Sequence, residues 1–288
     1  MALMAIASWA LMGRILLLGF ERILVKRLGT GAAPSAGAFL FFAIGAIFII
    51  PPAVLERHDG DLGWLLPLCL ASAIYAAAFV LYVRSLAVGD ASLVSPLYNA
   101  NVVFLAIIAF LFLGEPMTLL KLLGLILLVW GAARLNPRGS VLRSLMALGQ
   151  DDASRWMVAA SLLIAIGRVI DKATLAYAPP ARYAAVLYAA IAGWLLLWLY
   201  LRGATAAPLA LFRRNPTLAM TCGAVNGLSY LCLVRALTVY DVAVAEPASM
   251  LGLLVTLALS WILLREPVAA RLPGAILMLT GAWIVLAA

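Results

Sequence analysis

The sequence predicts an all-α integral membrane protein with ten transmembrane helices. Only 11% of its 288 residues are charged and 66% are hydrophobic, whereas an average soluble domain carries about 25% charged residues. Apolar stretches of the length that a helix needs to cross a bilayer recur along the whole chain. The net charge of +8 is then explained by Lys and Arg side chains where loops meet lipid headgroups, so nucleic-acid binding is excluded.

Charged, proline-rich or glycine-rich breaks divide the chain into ten predicted spans. These are residues 3–26, 36–55, 63–86, 91–113, 118–135, 156–176, 183–201, 217–237, 242–264 and 270–287. The only sizeable hydrophilic connection lies near the middle of the chain, between Arg134 and Arg155. We therefore predict a first five-helix repeat over residues 1–135, a central linker over 136–155 and a second five-helix repeat over 156–288.

The two halves are similar in sequence. A shift of 151 residues places Val83–Asp90 over Val234–Asp241, and nine of the 36 pairs that begin at Leu81 are identical. A shift of 146 residues relates the first helices of the two halves. Because five is odd, the second unit enters the membrane from the opposite side, which predicts two inverted repeats. Inverted repeats are typical of secondary transporters with a central cavity near the bilayer midplane.

The basic residues predict an orientation. Twelve Lys and Arg residues lie in or beside the connections after helices 1, 3, 5, 7 and 9, and five lie on the other side. Because cytoplasmic loops carry the excess of positive charge, we expect the central loop in the cytoplasm and both termini outside. The expected location is the inner or plasma membrane.

Three motifs carry a resemblance to a known family. The run from Arg84 to Pro96 is followed by Phe112–Thr118 and Gly124–Gly131, and the second half repeats the pattern. The chain resembles the drug/metabolite transporter superfamily, EamA type. The resemblance implies ten helices around a central cavity, alternating access, and export of amino acids or other small organic metabolites. The chain is also weakly similar to the small multidrug resistance proteins, but Leu18 stands where those carry a helix 1 glutamate.

The first helix of each half contains ionisable residues, which are costly in lipid and usually face a cavity or a partner. Arg14 and Glu21 are seven residues apart and share one helix face, and Asp171 lies one turn from Arg168. If these helices face each other, positive charge is in excess. An excess of arginine favours an anionic or zwitterionic cargo with a carboxylate. The alternative is that Glu21 and Asp171 lie at the membrane interface and contact headgroups.

Helices 4 and 9 add polar groups inside apolar spans. Tyr98, Asn99 and Asn101 follow one another in helix 4, and Glu246 lies at the corresponding level of helix 9. We predict that the three helix 4 residues bind substrate and that Glu246, with Glu21, couples transport to protons, since a desolvated carboxylate can exchange protons near neutral pH. The alternatives are interhelical hydrogen bonds in helix 4, and a Glu246 carboxylate permanently paired with an arginine, either Arg235 or Arg84.

Helices 3 and 8 supply aromatic and amide groups that suit an amphipathic cargo. The predicted cavity-lining residues there are Tyr75, Asn226 and Tyr230. With the residues above, the predicted substrate-binding set is completed by Arg14 and Arg168.

Other repeated residues predict structural contacts. Two repeat-equivalent pairs are expected to lock or gate short turns, Arg84 with Asp90 and Arg235 with Asp241. Glu115 precedes a proline, which indicates a helix start with the acid at the positive end of the helix dipole. Glycines seven residues apart predict close helix contacts, with a dimer seam as one alternative: Gly124, Gly131, Gly274 and Gly281.

Enzyme motifs are missing from the sequence: it has no P-loop, no Gly-x-Ser-x-Gly and no His/Cys constellation. We therefore predict no enzyme activity, no metal and no cofactor. The leading prediction is a secondary active exporter of a small polar or amphipathic metabolite, such as an amino acid or organic anion, acting as a monomer or homodimer with lipid and protons as further partners. The alternatives are a translocator of lipid-linked headgroups or cationic drugs, and a non-transporting membrane scaffold subunit.

Overall fold

The computed structural model describes residues 2–28, 34–56, 60, 62–88, 97–98, 100–135, 152–264 and 272–288. Within those ranges every regular element is an α-helix. The helices are α1 Ala2–Leu28, α2 Pro34–Leu55, α3 Leu65–Val88, α4 Ala100–Leu113, α5 Leu119–Leu135, α6 Asp152–Thr174, α7 Pro180–Leu201, α8 Ala207–Arg214, α9 Pro216–Leu237, α10 Val242–Ser249, α11 Gly252–Leu264 and α12 Leu272–Ala287. The predicted all-α class is confirmed for this part of the chain.

Seven segments are long and apolar enough to cross a bilayer: Leu3–Glu21, Ser35–Leu55, Leu65–Ser85, Asp152–Thr174, Pro180–Leu201, Pro216–Leu237 and Val242–Leu259. Three shorter apolar helices accompany them, at Ala100–Leu113, Leu119–Gly131 and Leu272–Ala287. The chain is therefore a multi-pass membrane protein. Large side chains such as Trp9 and Trp283 are exposed on its outer surface, as expected where the surrounding solvent is lipid.

The ninth predicted span is broken in the structure. It consists of α10 and α11, with Met250 and Leu251 between them. Pro247, inside α10, cannot donate a hydrogen bond to the preceding turn, which weakens the helix at this point. At the start of α11, Gly252 lies so close to α1 that an added Cβ would come within 3.0 Å of the Ile15 carbonyl oxygen.

Helix α8 was not predicted, because its eight residues are too few to form a span. The helix is amphipathic: Leu211 is buried against α2, whereas Arg213 and Arg214 in its last turn are exposed. This is the composition of a helix that lies in a membrane interface.

The glycines of the motif region form a close helix crossing. An added Cβ on Gly124 would lie 2.9 Å from the Gly281 carbonyl oxygen, and one on Gly131 would lie 2.7 Å from the carbonyl oxygen of Gly274. Helices α5 and α12 can approach so closely only because these positions have no side chain. The predicted close contacts are confirmed. They lie inside one chain, so the dimer seam considered from the sequence is wrong for these residues.

Glu115 stabilises a helix other than its own. Its two carboxylate oxygens accept hydrogen bonds from the backbone N–H groups of Val242 (2.8 Å) and Ala243 (2.9 Å) at the start of α10. A carboxylate is favourable there because a helix N-terminus carries unpaired N–H donors and positive partial charge. Glu115 therefore caps the start of α10, whereas the sequence predicted that it would stabilise the start of the helix that follows it.

Candidate functional site

The candidate site is built around Arg168, in the second half of α6. One of its guanidinium nitrogens, Nη1, donates to Asp171 Oδ2 (3.3 Å) and to the Tyr75 hydroxyl (3.2 Å). Its Nε forms an ion pair with Glu246 Oε1 on α10. The predicted pairing of Arg168 with Asp171, three residues away on the same helix, is therefore observed.

Asp171 is fully buried and fully hydrogen-bonded. Three tyrosine hydroxyls from three helices donate to its carboxylate: Tyr75 of α3 (2.6 Å) and Tyr230 of α9 (2.8 Å) to Oδ2, and Tyr183 of α7 (2.7 Å) to Oδ1. A carboxylate away from water is tolerated only when such partners replace its hydration. Asp171 therefore connects three helices and fixes the position of Arg168. Its burial leaves Asp171 no surface with which to contact lipid headgroups, as the alternative required.

A glycine makes room for this network. Gly167 lies against the ring of Tyr75, and a Cβ added at Gly167 would come within 2.6 Å of the Tyr75 Cζ atom. A side chain at this position would displace the ring, and with it the hydroxyl that contacts both Asp171 and Arg168.

Two aromatic rings hold the Arg168 guanidinium. Its central carbon lies 5.3 Å from the ring centroid of Tyr75 and 5.1 Å from that of Tyr230, within the range of cation–π attraction. The side chain keeps 14% of its surface exposed, and its Nη2 atom donates to no residue in the described ranges. Arg168 is thus rigidly positioned with donors to spare.

Arg14 is the second buried arginine. Only 7% of its surface is exposed, and its Nη1 donates to the Ser229 hydroxyl of α9 (2.7 Å). Within the described part of the chain, its Nε has no hydrogen-bond partner and no carboxylate lies within 4 Å of it. A neutral hydroxyl does not compensate a buried guanidinium, so Arg14 is poised to bind an anionic group.

Tyr188 of α7 lies between the surroundings of the two arginines. Its ring packs against that of Tyr230, with centroids 4.9 Å apart, and Tyr230 follows Ser229, the partner of Arg14. The Tyr188 hydroxyl donates to the side-chain oxygen of Asn226 (3.1 Å). The predicted residues of helices 1, 6 and 8 are thus brought to one buried region.

The two buried arginines differ in their partners. Arg168 pairs with two carboxylates, those of Asp171 and Glu246, whereas Arg14 pairs with none in the described ranges. The predicted excess of positive charge on the first helices of the two halves stays a prediction, because the side chain of Arg22 lies outside the described residues.

The predicted helix 4 residues lie near the Arg168 cluster but make no hydrogen bond to its side chains in the described ranges. Tyr98 packs against Tyr82, with ring centroids 5.3 Å apart, and its carbonyl accepts a hydrogen bond from Ser161. Ser161 lies two turns before Arg168 on α6, or about 10 Å along the axis. Asn101 is half-buried, and no hydrogen bond joins it to the Arg168 cluster within the described ranges. The prediction for Asn99 lies outside the described residues.

The predicted charge pairs need correction. Arg235 pairs with Glu56 (2.7 Å), and Asp241 pairs with Lys121 (3.5 Å), so these two residues do not lock one turn together. The reason is that each finds a closer partner on another helix end. The partner of Glu246 is likewise neither Arg235 nor Arg84 but Arg168.

The other predicted pair is only half described. Arg84 stacks on the indole of Trp156, 4.2 Å from its centroid. Its expected partner, Asp90, lies outside the described residues.

Sequence reasoning missed two tyrosines of α7, Tyr183 and Tyr188. They are five residues apart in a mostly apolar helix, and their counterparts in the first half are Gly37 and Phe42. The sequence signal that could have identified them is that these two positions carry hydroxyls in the second half and none in the first. Buried tyrosine hydroxyls need polar partners, so such a difference indicates a polar site.

Comparisons with known proteins agree with the fold and the motifs. Residues 3–136 match the model of the EamA-like transporter family. An uncharacterized transporter in the cobO 3′ region of Sinorhizobium sp is 39% identical over 69 residues, which is 24% of this chain and 48% of that protein. The chain thus spans about half the length of this curated relative. Both matches are to proteins that are described as transporters.

A solved structure described as "Crystal structure of protein" has the same fold. It has a TM-score of 0.78 and 15% sequence identity, over 97% of this chain and 96% of that chain. The fold likeness extends over both halves, whereas the family model matches the first. The resemblance to EamA-type transporters, which the sequence motifs predict, is confirmed over residues 3–136.

Proposed function

We propose that the protein is a secondary active transporter, of the drug/metabolite type, for a small polar or amphipathic metabolite that carries a carboxylate. An amino acid or an organic anion fits this description, and the family resemblance favours export by alternating access. The single observation that carries the proposal is the buried guanidinium of Arg14, whose Nε is unpartnered within the described residues. A cargo carboxylate would supply the missing charge.

The geometry of the two arginines supports a carboxylate as the recognised group. A guanidinium binds a carboxylate through two parallel N–H donors. Arg14 offers its Nε edge, and Arg168 keeps Nη2 available while the rings of Tyr75 and Tyr230 fix its plane. The aromatic surface around Tyr188 suits the apolar part of an amphipathic cargo.

Glu246 is the proposed coupling group. Its ion pair occupies the Nε edge of Arg168, so a proton on the carboxylate would neutralise Glu246 and free that edge for cargo. Return of the ion pair after proton loss would favour cargo release. Glu21, half-buried on α1, is the second proposed proton site.

We further propose that the ten predicted spans form two inverted repeats, residues 1–135 and 156–288, joined by the linker 136–155. Helix packing supports this arrangement: α3 packs on α6 and, in repeat-equivalent positions, α9 packs on α1. Helix α2 packs on its own counterpart α7, and α5 packs on its counterpart α12. A twofold axis between the halves would map the α3–α6 contact onto the α9–α1 contact, and would map the α2–α7 and α5–α12 contacts onto themselves.

The orientation and the cellular membrane are proposed from the charge count alone. The central linker faces the cytoplasm and the termini face outside, in the inner or plasma membrane. A monomer or a homodimer is compatible with the intramolecular glycine crossing. The gating role of Arg84, Asp90, Arg235 and Asp241 stays a proposal for the motion between states.

The proposal is tested by ligand-induced thermal stabilisation of the purified protein. Amino acids, organic anions and cationic drugs are compared on the wild type, on Arg14→Gln, and on Arg213→Gln as a control that removes an exposed arginine. We expect stabilisation by carboxylate-bearing compounds, lost in R14Q and kept in R213Q. Stabilisation by cations alone, or an unchanged response in R14Q, would contradict it.

Two other candidates each have one observation in their favour. The two carboxylates that pair with one arginine, Arg168, favour a cationic cargo, and the complete pairing of Asp171 favours a non-transporting scaffold. The ligand panel separates them: a cationic-drug carrier responds to cations, and a scaffold responds to none. A translocator of lipid-linked headgroups would respond only to a headgroup with its lipid.

A further inference from the structure

A second site lies apart from the arginine cluster, where α2 begins and where α3 and α7 end. A cavity of about 290 Å³ opens between these helices. Most of the side chains that line it are apolar, and two are arginines. The lining includes Phe79, Val83, Arg84, Leu195, Trp198 and Arg202. We propose that this cavity binds the headgroup of an anionic phospholipid, with the two arginines as the phosphate ligands.

The two arginines are prepared for a phosphate. Arg84 lies over the ring of Trp156 (4.2 Å to the centroid) and Arg202 over that of Trp198 (4.7 Å). A guanidinium stacked on an indole face keeps its N–H donors in the plane of the stack, pointing outwards, where they can bind a phosphate with two hydrogen bonds.

No carboxylate among the described residues lies within 4 Å of either guanidinium. Near the start of α6, the Asp152 carboxylate pairs with Arg155 at 3.3 Å, and not with Arg84 or Arg202. The cavity therefore has two positive charges that the described protein does not balance, and an anionic ligand would balance them.

The opposite end of the bundle shows how the protein closes the equivalent place. In the repeat that we propose above, Arg84 corresponds to Arg235 and Arg202 corresponds to Glu56. Arg235 and Glu56 form an ion pair at 2.7 Å. The second oxygen of Glu56 accepts hydrogen bonds from the first N–H groups of α7 (2.8 and 3.1 Å).

One end thus has an ion pair between Arg235 and Glu56, whereas the equivalent positions at the other end are both arginines, Arg84 and Arg202. The replacement of an acid by a base at one of two equivalent positions removes the internal partner. Among the described residues no other carboxylate takes its place, and this is the observation that most directly supports the proposal.

A phospholipid fits better than a soluble anion. The cavity is at the small end of ligand sites, which start at about 300 Å³, so it holds a headgroup. On α7, which supplies Leu195 and Trp198 to the cavity, the neighbouring side chains of Trp194 and Leu197 are exposed and offer an apolar surface to acyl chains. The exposed Arg213 and Arg214 of α8 lie at the same end, so the whole face attracts an anionic leaflet.

The test measures lipid binding rather than transport, so it is independent of the function proposed above. Native mass spectrometry on the detergent-purified protein compares phosphatidylglycerol with phosphatidylcholine of the same acyl chains. Each arginine near a membrane surface strengthens anionic-lipid binding about fivefold, so we expect the double variant R84Q/R202Q to bind phosphatidylglycerol about thirtyfold more weakly than the wild type. The matched control R213Q/R214Q, which removes two exposed arginines at the same end, should change binding less than the cavity variant.

A charge reversal separates binding from folding. R202E would allow Arg84 to pair as Arg235 does with Glu56, so we expect loss of phosphatidylglycerol binding with an unchanged or raised melting temperature in phosphatidylcholine. Glycerol 1-phosphate, the headgroup without its chains, should not compete. Equal binding of both lipids by the wild type, undiminished binding by R84Q/R202Q, or full competition by glycerol 1-phosphate would overturn the proposal.

Discussion

Substitution of Gly167 by alanine tests the buried network most sharply. A Cβ at this position would lie 2.6 Å from Tyr75 Cζ and 2.8 Å from its Cε1, whereas carbon atoms in contact are separated by about 3.5 to 4.0 Å. The ring must therefore retreat by about 1 Å. Because the Tyr75 hydroxyl lies 2.6 Å from Asp171 Oδ2, this shift stretches the hydrogen bond beyond its useful range.

The expected cost follows from these displacements. Overpacking a buried site costs about 1–3 kcal/mol, and a lost hydrogen bond to a charged group costs about 1.5–3 kcal/mol. The higher helix propensity of alanine over glycine offsets about 1 kcal/mol of this loss in stability. We therefore expect Gly167→Ala to lower the free energy of unfolding by about 2–4 kcal/mol.

The assay is unfolding by sodium dodecyl sulfate in mixed micelles, with Gly193→Ala as the matched control. Gly193 is also inside a helix, and an added Cβ there meets nothing within 4 Å, so G193A should be neutral or mildly stabilising. In a Tyr75→Val background, G167A should lose most of its effect, because the clashing ring atoms are gone. Equal effects of G167A and G193A in the wild-type background would refute the proposed contact.

Three further predictions test separate contacts. Glu115→Gln should lower the free energy of unfolding by about 1–2 kcal/mol, since a neutral amide satisfies the start of α10 less well than a carboxylate; a melting curve identical to the wild type would remove Glu115 as a cap. Gly281→Ala should destabilise the protein by about 1–3 kcal/mol, because the added Cβ would lie 2.6 Å from the Gly124 carbonyl oxygen; unchanged unfolding in sodium dodecyl sulfate would contradict the close crossing. Glu246→Gln should flatten the pH dependence of transport in proteoliposomes, since the group that is proposed to exchange protons is gone; transport with the wild-type pH profile would exclude Glu246 as the coupling residue.

Much of the fold followed from the sequence, because helices in a bilayer leave a strong signal in apolar length. The same signal fails for short elements. Helix α8 has eight residues, and the break between α10 and α11 falls inside one continuous apolar run. Neither feature changes the hydropathy over a 20-residue window.

The site was predictable in its residue types and less so in its pairings. Arg168 and Asp171 are one helical turn apart, so their contact follows from helix geometry. The partners of Glu246 and Arg235 depend on which helix ends meet, and sequence spacing carries no information on that. The tyrosine hydroxyls around Asp171 come from three different helices, which only the tertiary structure brings together.

The buried arginines are proposed to bind the carboxylate of a transported metabolite, and counterflow of radiolabelled amino acids and organic anions tests this directly in proteoliposomes that contain the wild type or Arg14→Gln. We expect accumulation of at least one carboxylate-bearing compound by the wild type, reduced about tenfold or more in R14Q by the loss of a charge-assisted pair. Uptake by the wild type no greater than in protein-free liposomes, or equal uptake by R14Q, would contradict it.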